Sequence, residues 1–154
     1  MKAYFGRRYS LCASHRLNAG ALSVEQNIAV YGKCNNPNGH GHNYVVEVLL
    51  GGPVAAETGM VINLGDLDAV VKQHILDRFD HTNLNLDPLF TSTVPTTENL
   101  CRAVFQILRK NLIGAGMKPT HTSNTGMNLE YVRVEETENN FFQCFDAGAQ
   151  GAIA

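Results

Sequence analysis

The order of hydrophobic patterns along the 154-residue chain predicts an α+β fold with the element order β-β-α-α-β-β. Two pairs of segments alternate apolar and polar residues, as half-buried strands do, and two segments with helical periodicity lie between them. We therefore expect a four-stranded antiparallel sheet with two helices packed on one of its faces. Because such a sheet leaves its edges and its other face uncovered, we also expect several copies of the chain to join their sheets in a homo-oligomer.

The first two predicted strands flank a long loop. Residues 3–15 have strand composition, and residues 40–50 alternate again until a Gly-Gly-Pro run at 51–53 is expected to end the strand. The intervening segment 16–39 is rich in Asn, Gly and Pro, with a helical turn or two expected within 23–30. Loops of this length are often functional.

The helices and the second hairpin follow in order. A helix is predicted over 64–79, because its apolar residues recur at helical spacing, and a second helix begins at Thr96. Gly114 and Gly116 are expected to end the second helix. A polar loop at 117–127 then leads to the last two strands, predicted at 128–136 and 141–147.

Composition limits the possible functions. Lys and Arg number 12 against 14 Asp and Glu, a formal net charge of −2, whereas nucleic-acid-binding domains are usually basic. The chain has no apolar run long enough to span a membrane, and its first eight residues lack the apolar core of a signal peptide. We expect one cytoplasmic domain over 1–154 with a mobile tail at 148–154. Three of its four cysteines are expected to be packing thiols: Cys12, Cys101 and Cys144.

The run C-N-N-P-N-G-H-G-H, from Cys34 to His42, predicts half of a metal site. Side chains two apart on a strand point to the same face, so His40 and His42 can aim at one ion, and imidazole is a good zinc ligand. His15, at the end of the first predicted strand, is the best candidate for a third ligand. Three histidines would leave the fourth zinc position open, as in catalytic sites. The nearby Cys34 thiol could be a fourth ligand, a nucleophile, a general base or an unreactive loop thiol.

Other side chains suggest acid–base chemistry and substrate binding. Asp80 and His81 could form an Asp-oriented acid–base pair or a solvated helix end. Glu136 ends an apolar strand face, so it either reaches water or pairs with a heterocycle that presents two parallel donors. Arg8 and Arg16 flank the strand that ends at His15 and could hold phosphates or be ordinary surface cations.

These motifs together resemble the 6-pyruvoyl-tetrahydropterin synthase family over nearly the whole chain. The matching segments are A-S-H-R-L at 13–17, G-K-C-N-N-P-N-G-H-G-H-N-Y at 32–44, N-L-G-D-L at 63–67, D-H-T-N-L-N at 80–85, P-T-T-E-N at 95–99 and E-T-E-N-N at 136–140. The departures are small: Cys12 stands where the family commonly has Ser, Glu135 where it often has an aromatic residue and Glu138 where it has Asp.

The resemblance implies an assembly and a metal site. Three subunits would close their sheets into a barrel with the helices outside, and two trimers would stack into a homohexamer. Zinc would lie on His15, His40 and His42. No nucleic-acid or membrane partner is expected.

The resemblance also implies a substrate and residue roles. The substrate would be 7,8-dihydroneopterin triphosphate, converted to 6-pyruvoyl-tetrahydropterin with elimination of triphosphate. Cys34 would be the general base, with Asp80 and His81 as acid–base partners supplied across a subunit boundary. The pterin ring would be held by Glu136, assisted by Thr96 and Thr97.

Two alternatives remain open. The family also includes 6-carboxy-tetrahydropterin synthases of the queuosine pathway, which typically place the cysteine closer to H-G-H than Cys34 lies here. The five residues between Cys34 and His40 resemble the pyruvoyl enzymes. A non-catalytic zinc- or pterin-binding protein would keep the histidines but would not depend on Cys34.

Overall fold

The computed structural model describes residues 1–113 and 126–146. This part of the chain contains five strands and four α-helices. The strands are β1 (Lys2–His15), β2 (His40–Pro53), β3 (Thr82–Asn83), β4 (Asn128–Glu135) and β5 (Phe141–Phe145). The helices are α1 (Val24–Tyr31), α2 (Leu64–Val71), α3 (Asp77–Phe79) and α4 (Thr97–Leu108).

The strands form one mixed sheet in the order β3-β1-β2-β4-β5. The four long strands pair antiparallel, as expected, with β1 against β2 from Lys2 opposite Pro53 to His15 opposite His40. The sequence did not predict β3, a two-residue strand that runs parallel to β1 beside Ala13 and Ser14. The α+β class is therefore confirmed, and the prediction of four strands is corrected to five.

The prediction that β2 ends before residue 51 was wrong. The strand continues through Gly51 and Gly52 to Pro53, opposite the first residues of β1. A Cβ atom on Gly51 would lie 2.4 Å from the Glu130 carboxylate oxygen, so the missing side chain makes room for the pair between Glu130 and Lys2. Glycine here marks a close approach of side chains rather than a turn.

The helical predictions are confirmed in position. Helical structure runs from Leu64 to Phe79, as α2, a π-helical turn at Lys72–Leu76 and α3. The turns expected in the long loop form α1, which Ser23 and Gln26 begin with a reciprocal capping box. The last helix continues past α4 in a π-helical turn, Arg109–Ile113. The predictions for Gly114, Gly116, residues 117–125, residue 147 and the tail at 148–154 lie outside the described residues.

Helices α2 and α4 cover one face of the sheet and enclose the apolar core. Its strand residues include Leu11, Tyr44, Val46, Val48, Leu50, Val132 and Val134, and its helix residues include Leu67, Val71, Ile75, Leu100, Val104 and Leu108. Burying each such side chain contributes about 1.5–3 kcal/mol. The opposite face of the sheet carries charged pairs, among them Arg8 with Glu135 at 2.7 Å.

Candidate metal centre and adjoining cleft

Three histidines converge where β1 and β2 meet. His15 lies directly opposite His40 in the antiparallel ladder, and His42 lies two residues further along β2. Because alternate residues of a strand share a face, all three rings project to the helical side of the sheet. One ligand atom from each ring lies within 4.8 Å of the others, and His15 is only 1% exposed. The pairing register thus brings together the two halves of the site predicted from sequence.

Hydrogen bonding fixes the tautomer of His15. Its Nδ1 lies 2.8 Å from the carbonyl oxygen of Pro95, which can only accept, so Nδ1 carries the proton. Its Nε2 therefore keeps a lone pair directed at the cluster, the arrangement that orients metal-binding histidines. Burial lowers the pKa of His15 and of His42, which favours the neutral, ligand-competent ring.

The donors fit a divalent metal ion. His15 Nε2 and His40 Nε2 are 3.1 Å apart, close to the roughly 3.3 Å expected for two nitrogens bound tetrahedrally to zinc at about 2.0–2.1 Å. His42 Nε2 is buried without a hydrogen-bond partner among the described residues. Buried polar atoms normally have a hydrogen-bond partner, so a buried nitrogen without one, inside a histidine cluster, is expected of a metal ligand.

Glu136 stands beside the histidines, just beyond the end of β4. Its Oε1 accepts a hydrogen bond from the Thr97 hydroxyl at 2.9 Å. The same oxygen lies 3.6 Å from His42 Nε2 and 3.7 Å from His15 Nε2. The backbone N–H of Glu136 donates to the carbonyl of Asn140, which closes the turn before β5. The carboxylate therefore points into the site rather than to bulk water.

A cleft of about 520 Å³ adjoins the carboxylate. Cys34 lines it from a 3₁₀ turn, Gly32–Asn35, that is tied down by a hydrogen bond from the Leu17 N–H to the Cys34 carbonyl. The remaining lining residues come from the loop after β1, the end of α1, the start of α4, the β4–β5 turn and the start of β5: Leu17, Tyr31, Thr96, Thr97, Glu98, Glu136, Asn139, Asn140, Phe141 and Phe142. The structure thus brings Cys34, both threonines and Glu136 to one cavity.

Asp80 and His81 contact each other outside this cleft. Asp80 Oδ1 lies 3.0 Å from His81 Nδ1 and accepts the backbone N–H of Cys12 at 2.7 Å. That N–H and His81 lower the pKa of Asp80. His81 has a φ of +58°, which is strained for a non-glycine residue, and its side chain is 82% exposed. Within one chain the pair faces outward at the β1 edge of the sheet.

The two candidate phosphate-binding arginines are placed differently. Arg16 donates from Nε, at 3.0 Å, to the carbonyl of Asn35, the last residue of the turn that carries Cys34. Arg8 lies on the opposite face of the sheet from His15, seven residues and roughly 23 Å away along β1. It is paired with Glu135 there. One chain therefore brings Arg16, and not Arg8, towards the cleft.

Two contacts to His15 could not be predicted from sequence. One is the Pro95 carbonyl, and the other is the hydroxyl of Tyr44, 3.4 Å from Nδ1 in the buried core. A backbone carbonyl leaves no compositional signal, although Tyr44 follows His42 on the same face of β2 and that spacing places it below the cluster.

Comparison with known sequences finds similar proteins along most of the chain. A family profile described as 6-pyruvoyl tetrahydropterin synthase matches residues 4–146. The chain is 43% identical over 140 residues to the 6-pyruvoyl tetrahydrobiopterin synthase of Homo sapiens, covering 90% of this chain and 88% of that one. It is 33% identical to a putative 6-carboxy-5,6,7,8-tetrahydropterin synthase of Archaeoglobus fulgidus, over 79% of this chain and 86% of that one.

Comparison with solved structures finds the same fold in proteins of that name. The Caenorhabditis elegans 6-pyruvoyl tetrahydropterin synthase superposes with a TM-score of 0.82 at 36% identity, covering 96% of this chain and 97% of that one. The Plasmodium falciparum protein of the same name shares the fold at 15% identity, with a TM-score of 0.59 over 94% of this chain and 98% of that one. Among the described residues no helix is long and apolar enough to cross a membrane.

Proposed function

Because the chain belongs to the 6-pyruvoyl tetrahydropterin synthase family, and is a lyase of that family, we propose that it converts 7,8-dihydroneopterin triphosphate to 6-pyruvoyl-tetrahydropterin. The carbon–oxygen bond to the triphosphate breaks and triphosphate leaves. The hydroxylated side chain is oxidised while the C6–N5 bond of the ring is reduced, so the reaction is redox-neutral and needs no nicotinamide.

The observation that carries this proposal is that a thiol and a carboxylate line one cleft beside the histidine cluster. Cys34 and Glu136 both line that cleft, and Glu136 Oε1 is 3.6 Å from His42 Nε2. A pterin with a hydroxylated side chain can contact all three, because its ring presents two parallel donors to a carboxylate and its side chain carries C–H bonds and metal-binding oxygens.

His15, His40 and His42 would hold Zn²⁺. When bound, the ion would act as a Lewis acid on the side-chain hydroxyls and make the adjacent C–H bonds more acidic. The Pro95 carbonyl keeps the His15 proton on Nδ1, which leaves Nε2 free for the metal. The donor set of three neutral imidazoles leaves a coordination position for substrate.

Proton transfer would be carried by the thiol and the Asp–His pair. Cys34, as the thiolate, would remove a proton from the substrate side chain, and His81, oriented by Asp80 at 3.0 Å, would return one. Since the His81 side chain is 82% exposed at the sheet edge, it is available to a cleft on a neighbouring subunit.

Glu136 would hold the ring, with Thr96 and Thr97 beside it. A carboxylate matches the amino group and ring N–H of a pterin through two parallel hydrogen bonds. Thr97 donates to Glu136, while Thr96 caps α4 by accepting the N–H of Asn99, so its own hydroxyl proton remains to be donated. The triphosphate would be met by Arg16 of the same chain and by Arg8 of another.

We propose that the enzyme works as a homohexamer of two stacked trimers. Two features support closure of the sheet between copies. Along Lys2–Leu11, the outer edge of β1 has no paired strand among the described residues, and β5 forms the opposite edge of the sheet. Paired edges would also bring Asp80 and His81 of one chain towards its neighbour. The four cysteines are free thiols, which is compatible with a reducing, cytoplasmic setting.

The test is to incubate the purified, zinc-loaded protein with 7,8-dihydroneopterin triphosphate, with and without a chelator, and to identify the products. We expect triphosphate and 6-pyruvoyl-tetrahydropterin, and loss of both on chelation. Release of a two-carbon aldehyde would instead assign the 6-carboxy-tetrahydropterin synthase reaction. No turnover by fully loaded protein would favour a non-catalytic zinc- or pterin-binding protein and overturn the proposal.

A further inference from the structure

The Glu136 carboxylate lies closer to the histidines than binding of a pterin ring requires. Oε1 stands 3.6 Å and 3.7 Å from the Nε2 atoms of His42 and His15. Two donors on a tetrahedral zinc ion lie roughly 3.3 Å apart. The carboxylate oxygen is therefore within a few tenths of an ångström of the spacing that a fourth ligand would have.

When substrate is absent, coordination of a zinc ion by the Glu136 carboxylate is chemically favourable. Asp and Glu oxygens are ordinary zinc ligands, and a carboxylate offsets part of the ion's double charge where three neutral imidazoles offset none. Within the described part of the chain His42 Nε2 has no hydrogen-bond partner, and Glu136 Oε1 lies 3.6 Å from it, beyond hydrogen-bonding distance. The Thr97 hydroxyl, 2.9 Å from Oε1, holds that oxygen in place.

We propose that Glu136 closes the fourth coordination position of the metal in the resting enzyme and is withdrawn from it when a pterin ring binds. This inference rests on the proposed function, because it assigns the same carboxylate two successive partners. Two parallel donors on the ring compete for both carboxylate oxygens. The position opens only when a ring is present, so water and stray anions are kept off the ion between turnovers. Thr97 is a positioning residue for both states.

The first measurement is metal affinity of the full-length protein, by competition for Zn²⁺ with a chromophoric chelator. Glu136→Gln and Glu136→Ala should each weaken zinc binding by about tenfold or more, the scale seen when a metal site loses a supporting group. The matched control is Glu135→Gln, which removes the same charge one residue away on the opposite face, where Glu135 pairs with Arg8. It should bind zinc as the parent does.

The second measurement is the visible d–d spectrum of the Co²⁺-substituted protein, which reports the donor set without requiring activity. The Glu136 variants should differ from the parent, and Glu135→Gln should not. Adding pterin itself, which lacks the hydroxylated side chain, should shift the parent spectrum towards that of Glu136→Gln. It should leave the spectrum of Glu136→Gln unchanged, because that variant lacks both the carboxylate ligand and the carboxylate that holds the ring.

The outcomes separate this inference from the proposed function. Unchanged zinc affinity and Co²⁺ spectrum in both Glu136 variants would overturn the inference and leave a three-histidine enzyme intact. A parent spectrum that pterin does not alter, although bound pterin is detected by its fluorescence, would overturn the ligand exchange. A parent protein that binds neither metal would overturn the proposed function as well.

Discussion

Gly39 controls the approach of the two strands that carry the histidines, and replacing it with alanine should disable the metal site. Its φ is +71°, in the left-handed region, and a Cβ atom added there would lie 2.9 Å from the backbone carbonyl oxygen of His15. Ordinary contacts begin at 3.4 Å, so the backbone at His15 or at His40 must move by about 0.5 Å. Gly39→Ala therefore pushes apart two of the three ligands.

The stability that Gly39→Ala loses has two parts, backbone strain and steric contact, and Gly59→Ala measures the first part alone. Gly59 has a φ of +70° but no atom within 4 Å of its added Cβ. Gly59→Ala should lose about 1–2 kcal/mol to backbone strain and regain about 0.4–1 kcal/mol from a stiffer unfolded chain, a net loss of about 1 kcal/mol. That loss corresponds to a fall of roughly 2–4 °C in Tm for a protein of this size. Gly39→Ala should lose more, because the steric contact adds to the same strain.

The assay compares both variants by urea unfolding and by competition for Zn²⁺. Gly59→Ala should bind zinc as the parent does, whereas Gly39→Ala should bind it at least about tenfold more weakly, since a ligand site tolerates displacements of only about 0.5 Å. If Gly39→Ala kept the parent's zinc affinity and lost no more stability than Gly59→Ala, the steric argument and the importance of His15 as a ligand would both be refuted.

Two further predictions address the base and the acid stability of the fold. Cys34→Ala should lower turnover about 100-fold or more while leaving the zinc content unchanged, and full turnover in that variant would exclude Cys34 as the base. The second concerns Asp87, whose pKa is lowered by the Arg78 guanidinium that binds it through two hydrogen bonds, at 2.7 and 2.8 Å. This pair stabilises the fold above the ordinary carboxyl pKa of about 3.9 and less as the pH falls towards the lowered value. Arg78→Met should therefore destabilise the protein by about 1–3 kcal/mol near neutral pH and by progressively less below pH ~4, measured by urea unfolding across pH. A difference that stayed constant with pH would contradict the assignment.

Local pattern was sufficient for most of the fold. The periods of two and 3.6 residues located the four long strands and both helical segments, because each period reflects one face that must be buried. The pattern was misleading at Gly51 and Gly52, where glycine accommodates a neighbouring carboxylate instead of breaking the strand. The hydrophobic pattern did not predict β3, because a two-residue strand is recognised by its pairing with β1 and not by its own composition.

Neighbouring residues alone show that His40 and His42 share a face of a strand, that a thiol precedes them in a polar loop, and that a carboxylate ends an apolar strand. Three further features depend on contacts between distant segments: His15 stands opposite His40, the Pro95 carbonyl holds the His15 proton, and Glu136 stands between the cleft and the histidines. Sequence pattern does not reveal these features, because register and approach distance are set by the packing of segments far apart in the chain, and a metal site depends on differences of a few tenths of an ångström.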